Sequence, residues 1–230
     1  AFRGKVVDID KIVENRKARD SRNNRPFATF MEMYLATEKA QREIAELGAS
    51  TETQETILKS HVINIVTAVE VYYRDMLDAI FKMCAPSSFE HKLKKLHDKS
   101  YKIDDLIAMY KKSVHPLELI ASNHSFQNTN NIDKVFTIVT EKPFLKQVRQ
   151  MKWRLKDKPE SESEVTHEDI LALQDLFEYR HTLIHNPNQS LKAPIRDIEK
   201  QINSALGVVM ASDLIMTQYL NANIDPELEK

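Results

Sequence analysis

The chain has 230 residues, 42% hydrophobic, 29% charged and 7% aromatic, with a formal net charge of −1. That is long enough for one substantial core, while the near-zero charge argues against a globally basic nucleic-acid binder, and a single cysteine, Cys84, excludes an internal disulfide framework and a cysteine zinc site. Three glycines leave no nucleotide-cradling loop, no run approaches the ~18 apolar residues of a membrane span, and the N-terminus lacks a signal peptide's apolar core, so a cytoplasmic, non-membrane protein is expected.

Scarce glycine with abundant Leu, Ile, Lys and Glu predicts an all-α protein. Residues 1–25 are polar and basic, with six Lys or Arg between 11 and 25 against Glu14 and Asp20, and read as an arm or short helix with a flexible lead-in. A single helical domain is expected over 26–222, its core at about 55–215, with a flexible tail at 223–230. From Pro26, residues Phe27, Phe30, Met31, Tyr34, Leu35, Ile44 and Leu47 form an apolar stripe that Gly48 stops. Ser50 or Thr51 caps a helix predicted over 52–84, whose stripe from Ile57 to Phe81 holds the 3-4 spacing of a central bundle helix. Within it stands Glu70, an acid in an apolar stretch that needs a partner; Arg74, four residues on, is the local one.

Pro86 ends that helix, and 87–115 reads as two shorter helices. Residues 121–131 form a polar loop containing Ser125-Phe126-Gln127-Asn128, whose asparagines suit turns and caps. From 142 to 158 seven basic residues face one acid, Asp157, with Phe144 and Trp153 interleaved. Two readings of this run stand side by side. Lys146, Arg149, Lys152 and Arg154 bind an RNA backbone, or the run is a solvated helix face followed by a charged loop. Residues 159–164 read as a solvated linker, Thr166 and Asp169 as a capping box, and 167–186 as a helix with Ile170, Leu171, Leu173, Leu176, Phe177 and Ile184 inward. Pro194 opens a last helix to about 221, with Leu214 among its inward residues; no strand is predicted.

The chemistry concentrates in Arg180-His181-Thr182-Leu183-Ile184-His185-Asn186-Pro187. Histidine, with an unperturbed pKa of about 6.5, moves protons at neutral pH, and arginine presents a permanently charged planar fork to phosphate oxygens. At about 100° per residue, Arg180 and His185 diverge by roughly 140° on a straight helix, whereas His181 and His185 share a face. One helix alone is therefore a poor site. Unwinding of the last turn before Pro187, or a second copy about a two-fold axis, would repair it.

An Arg followed by four residues and a His, at a helix end after a long core helix, resembles the ribonuclease signature of HEPN domains. The Ser-Phe-Gln-Asn segment resembles a second HEPN feature at the same place in the order. The resemblance implies a metal-independent endoribonuclease that directs the 2′-OH onto the adjacent phosphate, leaving 2′,3′-cyclic phosphate and 5′-OH ends, in a homodimer with a composite site. It implies His185 as general base or acid, Arg180 as the phosphate clamp, and His181, Asn186 and Glu70 in support, Glu70 now fixing Arg180 as an alternative to Arg74. Such proteins commonly act as toxins or antiviral effectors on tRNA or other transcripts, under an inhibitory or activating protein partner. The alternative the family offers is a catalytically inactive dimerisation or partner-binding module. His181 stands where Asn is more frequent, and 86–160 exceeds the minimal fold.

No cofactor is called for, and no metal. Glu164-x-x-His167 and Glu178-x-x-His181 have carboxylate–histidine spacing but lie fourteen residues apart, too close for separate bundle helices, and Glu178, His181 and His185 lack a further zinc ligand. Cys84 reads as packing, and His61, His91, His97, His115, His124 and His167 as surface or cap residues.

Overall fold

Four long helices carry the fold because the sequence places helix-starting and helix-stopping residues at their ends. The computed structural model describes residues 8–21, 25–97, 101–155 and 158–229. Its α-helices are α1 (Ile9–Ser21), α2 (Pro26–Glu46), α3 (Thr51–Met83), α4 (Leu93–Leu96), α5 (Ile103–Lys111), α6 (Pro116–Asn123), α7 (Thr129–Thr140), α8 (Phe144–Gln150), α9 (His167–His185) and α10 (Ile195–Asn223). Gly48, at φ +66°, takes the left-handed turn after α2, and Ser50 Oγ accepts the Thr53 N–H at the start of α3. Among the described residues the fold is all-α but for one hairpin, β1 (Lys152–Leu155) with β2 (Lys158–Glu164).

The α2–α3 pair and the α9–α10 pair pack on each other, with α3 touching α2, α9 and α10. Its apolar stripe is buried along its length, Leu58, Val62, Ile65, Val66, Val69, Leu77 and Ile80 being fully covered. At mid-length Tyr73 sits among Phe126, Phe136 and Phe144, ring centroids 5.4–6.5 Å away. Ser212 Oγ donates to the Val208 carbonyl at 2.8 Å and so accepts from the Tyr73 hydroxyl at 2.8 Å, which leaves both buried hydroxyls satisfied. Cys84 is packed in this core, its thiol pushed up to about 11 by burial.

Beside Tyr73, Tyr72 donates to Asp213 on α10 at 3.3 Å. Burial raises the Asp213 carboxyl to about 6, against which the Tyr72 hydrogen bond works only in part. A carboxyl whose folded value is raised contributes its stability below the unfolded value, near 4, and loses it as pH rises through about 6. Asp213→Asn is therefore expected to stabilise the fold by about 1–3 kcal/mol at neutral pH and by nothing near pH 4, measured by urea denaturation at both.

The structure corrects several expectations. The predicted linker is strand β2, paired antiparallel with β1 so that Lys152 faces Glu164 and Arg154 faces Glu162. Charges of opposite sign face each other across the pair, and a Pro-Glu-Ser run of low strand propensity has no apolar alternation to announce a strand. Leu35, Leu171, Ile184 and Leu214 are 52%, 51%, 49% and 38% exposed, and Leu47 83%; their apolar stripes are wider than the faces that neighbours cover. His61 is buried, not a surface residue. The stretch expected as two helices starts with 3-10 turns at Pro86–Ser88 and Glu90–Lys92 before the short α4 and α5. The 121–131 loop shrinks to 124–128, because α6 runs to Asn123 and Asn128 caps α7 through the Asn131 N–H.

The described part of the basic N-terminal stretch is helix α1, docked against α6. Ile9 and Ile12 share a small separate core with Met109, Val114 and Leu119. Arg16 pairs with Glu118 at 2.7 Å, and Arg19 reaches Asp78 on α3 at 2.9 Å with both side chains almost fully buried.

Candidate active site

Helix α9 is fixed at its start by the predicted capping box: Thr166 Oγ1 accepts the Asp169 N–H, and Asp169 Oδ2 accepts the Thr166 N–H at 2.8 Å. The other Asp169 oxygen accepts from Ser204 on α10 at 2.6 Å. Burial pulls this carboxyl up, but the Ser204 and Thr166 hydrogen bonds outweigh it and hold it below the usual range. With its start locked, the phase of α9 is set: Leu173, Leu176, Phe177 and Leu183 face inward, and Leu171, Glu178, His181 and His185 face out.

Arg180 lies on the border between these faces, its side chain 21% exposed. Its Nη1 is 3.2 Å from Oε1 of Glu70, a buried carboxylate at the middle of α3. The partner of Glu70 is thus Arg180, 110 residues away, and not Arg74 on its own helix, which makes no ion pair among the described residues. Gln127, from the Ser-Phe-Gln-Asn segment, donates to the other Glu70 oxygen at 3.4 Å. Arg180 Nε is buried without a hydrogen-bond partner among the described residues.

On the outer face the His181 and His185 rings meet edge to face, centroids 4.5 Å apart. Both are exposed. The last turn does not unwind at His185 as expected. It stays helical, because the Asn186 N–H still donates to the Thr182 carbonyl at 2.8 Å, and the chain leaves the helix only at Asn186, at φ −135° and ψ 73°. Before Pro187 the helix ends at His185, one residue short of the predicted end at 186, and because His185 itself stays helical the angular divergence of Arg180 and His185 persists within one chain. His185, Asn186, Pro187, Asn188 and Gln189 line an open hollow of about 400 Å³ beyond the helix end.

The sequence reading missed a polar chain supporting this face. The Thr129 N–H and hydroxyl both donate to Gln174 Oε1, at 3.1 and 2.9 Å, and Gln174 Nε2 donates to Glu178 at 3.1 Å. Glu178 stands three and seven residues before the two histidines, on their stripe. Gln127 and Thr129 flank the Ser-Phe-Gln-Asn end, so the resemblance marked this loop, although nothing in its residue types showed that it reaches α3 and α9. No three His, Cys, Asp or Glu side chains gather into a metal cage among the described residues.

Of the expected RNA-binding residues, Lys146 and Arg149 are exposed on α8. Lys152 and Arg154 lie on β1, separated from them by the turn into the hairpin, and pair across it with Glu162 at 2.8 and 3.5 Å. The Glu162 hydrogen bond and charge raise the Lys152 ammonium above its usual range. The basic run thus splits into an open half and a half neutralised by β2. Lys156 and Asp157 lie outside the described residues. No helix among the described residues is long and apolar enough to cross a membrane.

A family model described as RiboL-PSP-HEPN matches residues 35–218, from mid-α2 to near the end of α10. No curated protein and no solved structure matches the chain.

Proposed function

The chain belongs to the RiboL-PSP-HEPN family, and from that premise we propose that it is a metal-independent endoribonuclease working as a homodimer. The observation that carries this reading is the Glu70–Arg180 ion pair, which fixes a guanidinium beside a helix end that displays two touching imidazoles.

In this mechanism His185 takes the proton of a ribose 2′-OH, or returns one to the departing 5′-oxygen, and His181, in ring contact with it, supports the opposite transfer. The O2′–P bond forms as the P–O5′ bond breaks, leaving 2′,3′-cyclic phosphate and 5′-OH ends. Arg180 stabilises the charge that gathers on the phosphate oxygens, Glu70 positions Arg180, and Asn186 shapes the hollow. Because Arg180 and His185 face different sides of α9, the working site takes Arg180 from one protomer and His185 from the other. Leu171 and Ile184, half exposed on α9, supply apolar surface that a second copy covers. Lys146 and Arg149 carry the RNA backbone, and a role as a toxin or antiviral effector acting on tRNA, under a restraining or activating protein partner, fits this chemistry.

The test is incubation of the purified protein with total tRNA and a generic single-stranded RNA in EDTA, with product ends read by mass spectrometry. Cyclic-phosphate ends that depend on Arg180 and His185 support the reading, and cleavage lost in EDTA sinks the metal-independent mechanism. The exposed half of the basic run gives a separate expectation. Lys146→Ala and Arg149→Ala are each expected to lower the slope of log affinity against log salt by about 1, whereas Lys152→Ala and Arg154→Ala change it less; filter binding at several salt concentrations measures it.

A second reading is an inactive dimerisation or partner-binding module. It is favoured by the same ion pair, since a buried carboxylate paired with a half-buried arginine also simply ties α9 to α3. That module leaves RNA intact.

A further inference from the structure

Charge alternates along one row of α3. Glu70, Arg74, Asp78 and Lys82 follow at intervals of four residues, each step about 40° around the helix and about 6 Å along it, the spacing at which side chains of opposite sign pair. Asp78 and Lys82 do pair, at 3.1 Å. Arg74 does not, although an acid stands one turn away on either side. Each of those acids is claimed from another helix: Glu70 by Arg180 of α9 at 3.2 Å, with Gln127 on its second oxygen, and Asp78 by Arg19 of α1 at 2.9 Å. Arg74 therefore makes no hydrogen bond and no ion pair among the described residues. Its guanidinium carries five donors and a permanent charge, and it is already partly withdrawn from water. What it lacks is an acceptor.

The position of Arg74 says where an acceptor would come from. Between Val66 and Leu77 only Thr67, Val71 and Arg74 of α3 reach solvent, and the other residues of that stretch are buried. These three lie on one strip, and at about 100° per residue Glu70 falls within the same arc. Arg74 thus opens on the strip from which Glu70 holds Arg180. Thr67 is spent on the Ile63 carbonyl at 2.8 Å, and Val71 is apolar. Along this strip two arginines answer one carboxylate, since Asp78 is matched by Arg19 and Lys82. The excess charge is positive. An RNA strand carries a phosphate at every nucleotide, so a strand with one phosphate on Arg180 brings the next to the neighbouring turn of α3.

We propose that Arg74 binds the phosphate next to the scissile one, setting the register of the strand without taking part in the chemistry. The proposal rests on the ribonuclease reading, in which Arg180 holds the scissile phosphate.

Binding tests it apart from cleavage. The probe is a short fluorescent 2′-O-methyl RNA of mixed sequence, which has no 2′-OH to attack, followed by anisotropy. Arg74→Ala is expected to weaken binding on the order of tenfold and to lower the slope of log affinity against log salt by about 1. Arg74→Lys recovers most of the loss, because a point charge also serves a phosphate. The urea midpoint of both variants stays at the wild-type value, which a structural arginine would not allow. Neutral methylphosphonate is then placed at each linkage in turn. At one linkage it weakens the wild type by a factor that Arg74→Ala no longer shows. Cleavage of the same strand with a single ribonucleotide supplies the kinetic side: KM rises in Arg74→Ala while kcat stays within about twofold. Unchanged affinity in Arg74→Ala, or a variant as sensitive as wild type to every methylphosphonate, overturns the proposal. A loss of affinity that follows dissociation of the dimer in sedimentation overturns it in favour of a carboxylate of a second copy. If the wild type cuts nothing, the ribonuclease reading fails, and the methylphosphonate series still decides whether Arg74 holds a phosphate.

Discussion

His185→Ala is expected to lower RNA cleavage by about 10²–10⁴-fold while leaving thermal stability within about 0.5 kcal/mol of wild type. The imidazole is exposed at a helix end and supports no buried group, so its loss falls on proton transfer alone. Arg180→Ala behaves differently. It abolishes cleavage to a similar degree but also strands Glu70, whose carboxylate is buried with Gln127 as its remaining contact, and costs about 2–4 kcal/mol of stability. Arg180→Lys keeps the charge but not the fork, and is expected to recover part of the stability and little of the activity. Single-turnover cleavage beside urea denaturation measures both effects. If His185→Ala cuts as fast as wild type, His185 has no part in the chemistry.

Mixing the two alanine variants then tests where the site lies. If Arg180 and His185 act from different protomers, the mixed dimer contains one intact pair, supplied by the unmutated residue of each chain, and part of the activity returns. If both act within one chain, every chain in the mixture is broken and nothing returns.

Arg19→Met is expected to destabilise the protein by about 3 kcal/mol at neutral pH, the largest stability loss expected from a single change in the N-terminal stretch. Arg19 and Asp78 have side chains 4% and 3% exposed, 2.9 Å apart, and Arg19 Nη2 is buried without an acceptor. Burial already lifts the Asp78 carboxyl above its usual range, against the opposing pull of Arg19 and Lys82. Removing the guanidinium lifts it further. A carboxyl with a raised folded value loses stability as pH rises, so the deficit of the variant is widest at neutral pH and closes toward about pH 4, where Asp78 is protonated in folded and unfolded chains alike. Lys82, 3.1 Å from the same oxygen, keeps the loss below the upper end for a broken buried pair. The double variant Arg19→Met, Asp78→Leu is expected to recover most of it, since two apolar side chains remove the charge that would be stranded. Urea denaturation of both variants across the pH range checks this, and a deficit independent of pH would show that Asp78 does not carry it.

What was legible in the sequence is what neighbours in the chain decide. Gly48, Ser50, Pro86 and the Thr166–Asp169 box act on their own turn of backbone, and they placed the ends of the long helices to within a residue or two. The stripe of α3 announced a central helix because one helix period suffices to show it. The candidate residues Arg180, His181 and His185 were likewise legible because they lie within six positions of one another. Only the fold could decide which way each of them faces a partner. Glu70 had an equally good partner four residues away in Arg74, and the choice of Arg180 came from the docking of α9 on α3. Gln127, the Thr129–Gln174–Glu178 chain, the burial of His61, and the Arg19–Asp78 pair are all contacts between segments far apart in sequence. Their residue types are as common on surfaces as in networks, and carry no local mark of where they end. Apolar type placed Leu171 and Ile184 among the inward residues of α9, but how far neighbours cover each of them depends on packing, and each is left about half exposed. The hairpin was hidden for the same reason: β1 and β2 are strands because each pairs with the backbone of the other, and neither carries that information alone.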